Sequence, residues 1–369
     1  IKPRRRYSLE RFQQEQSRIE QVLENYGFYY FDDKYVLFEA DTTVGNRQVD
    51  VEVTLADGVP DKAKRIYTLD RINVFTNYTI TGDSLRIKTD TVRINGYNYF
   101  DRTQSFRPDI ITNAINLRKG DIYTSTAHDY TLSHLMSLGV FKFVNIKYHD
   151  SSRDSASLNA NIYLTPLEKK SIRLEFQTVS KSNNFVGPGV TVAFTNRNFL
   201  RGAERFELTV NSAYEVQINR RQSGPLNSLT MGIESSLTVP RFISPFRIDY
   251  YNSQYIPNTR FALGFNLQRR IGFFQLSSFN ALYGYTWRET TAKNHELYLA
   301  DVNYVRLSGT SLEFEQLLER NPVLENSVQN QFIIGTRYSY TLNTQLKEDG
   351  VDIFGRRNTN KHNFYFNGN

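Results

Sequence analysis

The sequence predicts α+β repeats followed by an antiparallel transmembrane β-barrel, of which the chain carries the N-terminal half: eight to nine strands of an expected ~16. Three observations lead there. Helical periodicity nearly stops at Pro166, period-two alternation takes over from residue 171, and the alternating segments are longer than the strands of soluble sandwiches. The stretch RFELTVNSAYEVQI, residues 205–218, shows the pattern. Phe206, Leu208, Val210, Tyr214, Val216 and Ile218 fall on one side, and Glu207, Thr209, Asn211, Glu215 and Gln217 on the other. At ~3.4 Å per residue such a strand spans roughly 45 Å, and a tilt of about 45° projects it to roughly 30 Å, the thickness of a bilayer core.

The bulk composition agrees. Among 369 residues, 39% are hydrophobic and 22% charged, and the mean hydropathy is −0.51. No apolar run approaches the length of a spanning helix, which excludes such a helix in this sequence but not a spanning barrel, whose strands carry only half an apolar pattern. The net charge of +7 is scattered apart from Arg4, Arg5 and Arg6. No groove-reading helix accompanies it, so nucleic acid is not an expected partner. Absence of Cys removes disulfides, thiol nucleophiles and zinc-thiolate sites.

Before Pro166 the chain holds two related units. In the first, SRIEQVLENYGFYYF gives an amphipathic helix with Ile19, Val22, Leu23 and Tyr26, stopped by Gly27. Two strands follow, the second marked by Val49, Val51, Val53 and Leu55. In the second unit a strand at YTLDRINVF precedes a helix opened by Pro108, and a second helix follows in STAHDYTLSHLMSLG. There Thr126 and Asp129 have capping-box spacing and Gly139 suits a left-handed stop. Two strands, FKFVNIKY and SLNANIYL, close the unit. Gly27 before Phe28 and Gly139 before Phe141 mark an internal repeat whose first copy lacks its front half. The expected domains are 1–62, 63–168 with a long insertion at about 76–106, and 169–369. The opening residues carry no initiator Met or export signal, and KHNFYFNGN stops within a strand pattern. More chain is therefore expected at both ends.

From 171 onward the alternating segments are 171–179, 189–195, 205–218, 227–239, 260–270, 274–287, 295–307 and 331–342, with a ninth from near His362. No crossover helix intervenes, so neighbours are expected to be antiparallel. SLEFEQLLERNP reads as a short surface helix. In NSLTMGIESSLTV, Leu229, Met231 and Ile233 oppose Ser228, Thr230, Gly232 and Glu234, and small residues mixed with charges suit a wet lumen. Phe206, Leu208, Val210, Val216, Leu229, Met231 and Ile233 are accordingly expected against lipid. Tyr283, Tyr285 and Trp287, with Phe242 and Phe246 around the turn at Pro240 and Pro245, are expected at the membrane interface.

Small strand-helix-helix-strand-strand units running into an antiparallel barrel resemble the BamA/TamA superfamily, whose repeats are called POTRA domains, and within it the TamL-type lipoproteins. The match is carried by RKGDIYTSTAHDYTLSHLMSLGVFKFVNIKY, by SIRLEFQTVSKSNNFVGPGVTVAFTNRNFLRGAERFELTV, and by LTVPRFISPF, LQRRIGFFQLSSFNALYGYTWR and NYVRLSGTSLEFEQLLERNP. Two features depart from it: the long connection between Phe75 and Phe106, and the absence of the Val-Arg-Gly-Phe-type lumen loop. The resemblance implies a bacterial outer-membrane protein with periplasmic POTRA domains that inserts barrel proteins into that membrane or moves substrates across it. It implies as partners outer-membrane lipid, client barrel or exported proteins, and a periplasm-spanning TamB-like protein.

On that reading the POTRA edge strand offered to clients is Phe141, Phe143, Val144, Ile146 and Tyr148. The lateral seam is the first barrel strand, Ile172, Arg173, Leu174, Glu175, Phe176 and Gln177. A two-partner-type secretion pore and a soluble β-sandwich binding protein are the alternatives. Enzymatic chemistry has no support: His128 and His134, six apart, miss the i, i+4 spacing of a helical metal pair, and no helix follows VGPGV to make a phosphate loop. No catalytic residue, metal or cofactor is expected.

Overall fold

The computed structural model describes residues 8–45, 48–78, 92–101, 103–151, 156–180, 185–217, 227–245, 254–321, 329–343 and 363–368. The chain divides into two compact units. One comprises 1–136 and 141–166, the other 137–140 and 167–369.

The first unit opens with helix α1 (Leu9–Asn25), which begins earlier than its apolar periodicity suggested. Its N-terminal turns are held by Phe12, buried with its ring 4.8 Å from Phe38. Strands β1 (Val36–Asp41) and β2 (Asp50–Leu55) form an antiparallel pair. Gly27 sits at φ +99, where L side chains are strained, and a Cβ there would come within 2.6 Å of Ile122 and 2.7 Å of Ile66. Glycine is therefore required twice over, and the α1 turn closes directly onto the second repeat. Asn25 strengthens that closure by accepting from the Thr126 backbone N–H at 2.9 Å and its hydroxyl at 2.8 Å.

The second repeat runs β3 (Thr68–Phe75), β4 (Val92–Ile94), β5 (Tyr97–Phe100), α2 (Pro108–Asn113), α3 (Ser125–Ser137), β6 (Phe141–Asp150) and β7 (Ser157–Pro166). The sheet order is β4-β5-β3-β7-β6, with β3 parallel to both β5 and β7. Within the long insertion, β4 and β5 form a hairpin that widens the sheet. It turns at Asn95 and Gly96, both at positive φ. Residues 79–91 lie outside the described residues. The core is the face of Leu69, Ile72, Val74, Leu158, Ala160, Ile162 and Leu164, all at most 2% exposed. A register shift between Leu69 and Arg71 moves β3 from odd to even inward positions. Ile111, Leu117 and Leu135 are buried in the same core.

One local expectation is corrected. The hydroxyl that caps α3 belongs to Thr124, which accepts from the Ala127 N–H at 3.1 Å, while Thr126 turns to Asn25. The side-chain acceptor on Asn25 outcompetes the capping-box geometry. Gly139 has φ +67, the left-handed stop.

The second unit is a nine-stranded antiparallel sheet in simple sequential order: β8 (Lys170–Ser180), β9 (Phe185–Asn196), β10 (Arg205–Gln217), β11 (Asn227–Val239), β12 (Asn258–Arg270), β13 (Phe274–Arg288), β14 (Lys293–Ser308), β15 (Gln331–Asn343) and β16 (Asn363–Gly368). β8 through β15 have 11 to 16 residues each. Helix α4 (Leu312–Arg320) follows β14, capped by the Ser311 hydroxyl accepting from the Phe314 N–H at 3.3 Å. Bulges near Tyr283/Gly284 and between Tyr298 and Asp301 interrupt the ladders flanking β14.

Candidate functional site

Register decides which side chains share a face, because paired residues in neighbouring strands point the same way. One row across eight strands is Leu174, Val192, Val210, Ile233, Phe265, Phe279, Tyr304 and Phe332, apolar but for the tyrosine hydroxyl. The next row, on the opposite face, is Arg173, Ala193, Thr209, Glu234, Gly264, Asn280, Asn303 and Ile333, predominantly small or polar. Every member of the apolar row is exposed, from Val192 at 39% to Phe332 at 67%. On the polar face, by contrast, Glu215, Ser228 and Ser236 are buried. The sheet turns its hydrophobic side out and crowds its polar side.

Phe206, Leu208, Val210, Val216, Leu229, Met231 and Ile233 all lie on the apolar face. Val210, Met231 and Ile233 are exposed and the other four half-buried. Ile218 lies outside the described residues. On the polar face, Arg337 pairs with Asp301 at 3.2 Å and covers the Tyr298 ring at 4.7 Å, while Arg260 lies 3.9 Å from Glu234. Glycines make room for the longer polar groups. A Cβ at Gly232 would come within 2.3 Å of the Asn211 amide oxygen and 2.5 Å of that of Asn266, and one at Gly264 within 2.2 Å of that of Asn280.

β8 ends the sheet order, so one side of its backbone is unpaired among the described residues. Ile172, Leu174 and Phe176 project on the apolar face at 74%, 56% and 77% exposure, the barest hydrophobic set along one strand among the described residues. On its other face, Arg173 donates to Glu175 at 3.0 Å, and the Gln177 side chain lies against Gly189.

In the first unit β6 likewise ends its sheet. Phe143 is exposed and Val144 and Ile146 are half-buried. Phe141 and Tyr148 are buried against other rings, Phe141 facing Phe106 at 5.3 Å and Tyr148 facing Tyr123 at 5.1 Å and Tyr29 at 5.2 Å. Any partner on this strand would meet its backbone and the three middle side chains. His128 faces the Tyr148 hydroxyl at 3.1 Å, and burial holds its pKa below the ordinary imidazole value. At the end of β6, hydrogen bonds from Lys62 and from the Tyr30 hydroxyl, the latter at 2.6 Å, lower the Asp150 pKa.

The expected interface aromatics fall at one end of the apolar face. Tyr283, Tyr285 and Trp287 share it, and Phe242 packs on Tyr285 and Trp287. Phe246 lies outside the described residues. Sequence reasoning missed His295, which stacks on Trp287 at 4.8 Å and meets the Tyr338 hydroxyl at 2.8 Å. Its place symmetric to Trp287 about the short connection between the two alternating segments was the available signal. Among the described residues no cluster of His, Cys, Asp or Glu could hold a metal ion, and no helix is long and apolar enough to cross a membrane.

No protein-family model and no curated protein sequence matches the chain. Among solved structures, it is similar to BamA from Haemophilus ducreyi lacking POTRA domains 1–3, at 10% identity and a TM-score of 0.43, covering 93% of this chain and 63% of that one. It is similar to CdiB from Acinetobacter baumannii at 8% identity and a TM-score of 0.33, covering 89% and 55%. POTRA1-3 of the periplasmic domain of Omp85 from Anabaena aligns at 16% identity and a TM-score of 0.24, covering 44% of this chain and 52% of that one. The chain thus spans less than two thirds of the length of each.

Proposed function

We propose that the chain is the periplasmic-repeat and early-barrel part of an outer-membrane protein that assembles barrel proteins or moves substrates across the membrane. One observation carries the reading: a sheet of long strands exposes an apolar face, crowds a polar one, and ends at β8 in an edge that no other strand pairs among the described residues. Water disfavours such a face, whereas acyl chains accept it. In lipid, unpaired backbone groups on β8 cost several kcal/mol each, in order of magnitude, until another strand covers them. An incoming client strand can supply that cover, which makes β8 the gate and β10 part of the wall. β6 offers a second edge for an extended client or a periplasm-spanning TamB-like partner. The work so proposed is binding and templating.

The membrane reading is tested by whether the protein fractionates with outer membranes and migrates in a heat-modifiable way. A protein that stays soluble after detergent removal overturns it. A photoreactive residue at Leu174 or Phe176 separates the two modes. Capture of many nascent barrel proteins supports assembly, and capture of a single exported client supports a two-partner-type secretion pore.

A further inference from the structure

Two turns at one end of the nine-stranded sheet fold back over its apolar face, and the edge chemistry above uses neither. This is the end where β8, β10, β12 and β14 begin. The first turn, RNFLRGAE (197–204), places Arg201 and Ala203 at φ +67 and +60, a strained region for residues with a side chain. Buried hydrogen bonds hold it. Glu204 accepts from the backbone N–H of Gly202 at 2.8 Å and of Leu200 at 3.2 Å, and Asn198 accepts from that of Ala203 at 3.1 Å. As a result the Phe199 ring stacks on Phe206 of the apolar face at 5.0 Å, and Leu200 stands 57% exposed beside it.

The second, the described residues 240–245 that follow β11, is strapped to the same face. The hydroxyls of Tyr283 and Tyr285 reach the Ile243 carbonyl at 2.8 and 2.7 Å. The Ile243 N–H donates to the Thr259 hydroxyl at 2.8 Å, and that hydroxyl donates to the Arg241 carbonyl at 2.6 Å. Phe242 then packs on Tyr285 and Trp287, leaving Ile243 exposed on the outside.

Solvated turns satisfy their backbone with water and present polar side chains. These two do the reverse. Several of their backbone N–H and C=O groups are met by side chains of the protein, as a poorly hydrated setting requires. The first carries Phe199 and Leu200 beside Arg201, and the second carries Phe242 and Ile243 beside Arg241, with Tyr283, Tyr285 and Trp287 alongside. Apolar bodies next to cationic heads and aromatic hydroxyls match the boundary between acyl chains and phosphate headgroups.

We propose that the turns 197–204 and 240–245 form a rigid shelf that seats in the headgroup–acyl boundary of one leaflet and sets the depth of the sheet. The proposal rests on the membrane reading given above. Trp287 is the only Trp in the chain and touches the second turn, so its fluorescence reports on the shelf directly.

The full chain is folded into phosphatidylcholine vesicles containing lipids brominated either just below the carbonyl or deep in the acyl chain. Trp287 is expected to be quenched more by the shallow bromines. Replacing both Tyr283→Phe and Tyr285→Phe removes the strap, and is expected to abolish that preference and shift the emission to the red. Replacing Phe199→Ser together with Leu200→Ser leaves Trp287 untouched and is expected to weaken vesicle partitioning on the order of tenfold or more, the loss expected when two apolar side chains forgo burial. Heat-modifiable migration identifies variants that still fold. Stronger quenching by deep bromines in the parent chain overturns the shelf, as do folded variants that behave like the parent. A parent chain that no brominated lipid quenches and that stays soluble without detergent overturns the membrane reading itself.

Discussion

The two larger sheets among the described residues alternate apolar and polar residues in the same way and use the alternation in opposite senses. In the five-stranded sheet, Leu158, Ala160, Ile162 and Leu164 of β7 are completely buried. In the nine-stranded sheet, Val210, Ile233, Phe265 and Phe279 are exposed while Glu215 and Ser228 are buried. A period-two pattern therefore states that two faces differ, and the surroundings decide which one is covered. The same chain shows both outcomes because its first unit folds helices into the core with their sheet, whereas the later strands carry only the short α4 after β14.

The largest effect that could break this contrast is Leu158→Asp. A charge without a partner in a dry core is expected to cost more than about 4 kcal/mol and to abolish the cooperative unfolding transition of the first unit. Next comes Ile233→Arg on the apolar face of β11. In vesicles it is expected to cost ~2–4 kcal/mol in a denaturant titration. In detergent-free buffer it should slow aggregation instead. An arginine tolerated without cost in vesicles would mean that this face does not meet lipid.

A smaller effect tests how tightly the bulged strands pack. At Gly284 a Cβ would come within 2.4 Å of the Leu297 carbonyl oxygen and 2.6 Å of the Tyr298 ring. Gly284→Ala is therefore expected to cost ~1–3 kcal/mol, whereas Gly335→Ala, with no neighbour within 4 Å, meets no such clash.

Asn25→Ala removes the acceptor that ties the first repeat to the start of α3. A loss of ~0.5–2 kcal/mol is expected, seen as a lower midpoint of the first unit's transition.

The mildest test is pH. His128 has a folded-state pKa below its unfolded value, so the unfolded chain binds the extra proton first and stability falls as pH drops below the ordinary imidazole range. Denaturant midpoints measured across that range should decline more steeply for the parent than for His128→Gln. Equal slopes would show that the ring opposite Tyr148 is not the group responsible.

Much of this was legible in the sequence because it depends on local order. The strand segments from 171 to 342 match β8–β15 to within a few residues, and Pro108, Gly27 and Gly139 stand where the sequence set them. Three features were not legible. The α3 cap moved to Thr124 because Asn25, distant in sequence, holds Thr126. β3 came to pair in parallel with both β5 and β7, through pairings that no local pattern encodes. The tyrosine strap on Ile243 joins residues about forty apart.

The sequence by itself determined where strands and helices begin and which side chains alternate, since backbone period and turn chemistry are properties of neighbouring residues. Only the tertiary structure decided how the strands of the first unit pair, where the α3 cap falls, and how the turns at one end of the long sheet fold outward. Each of those depends on contacts between residues far apart in the chain, which exist only once the strands have paired.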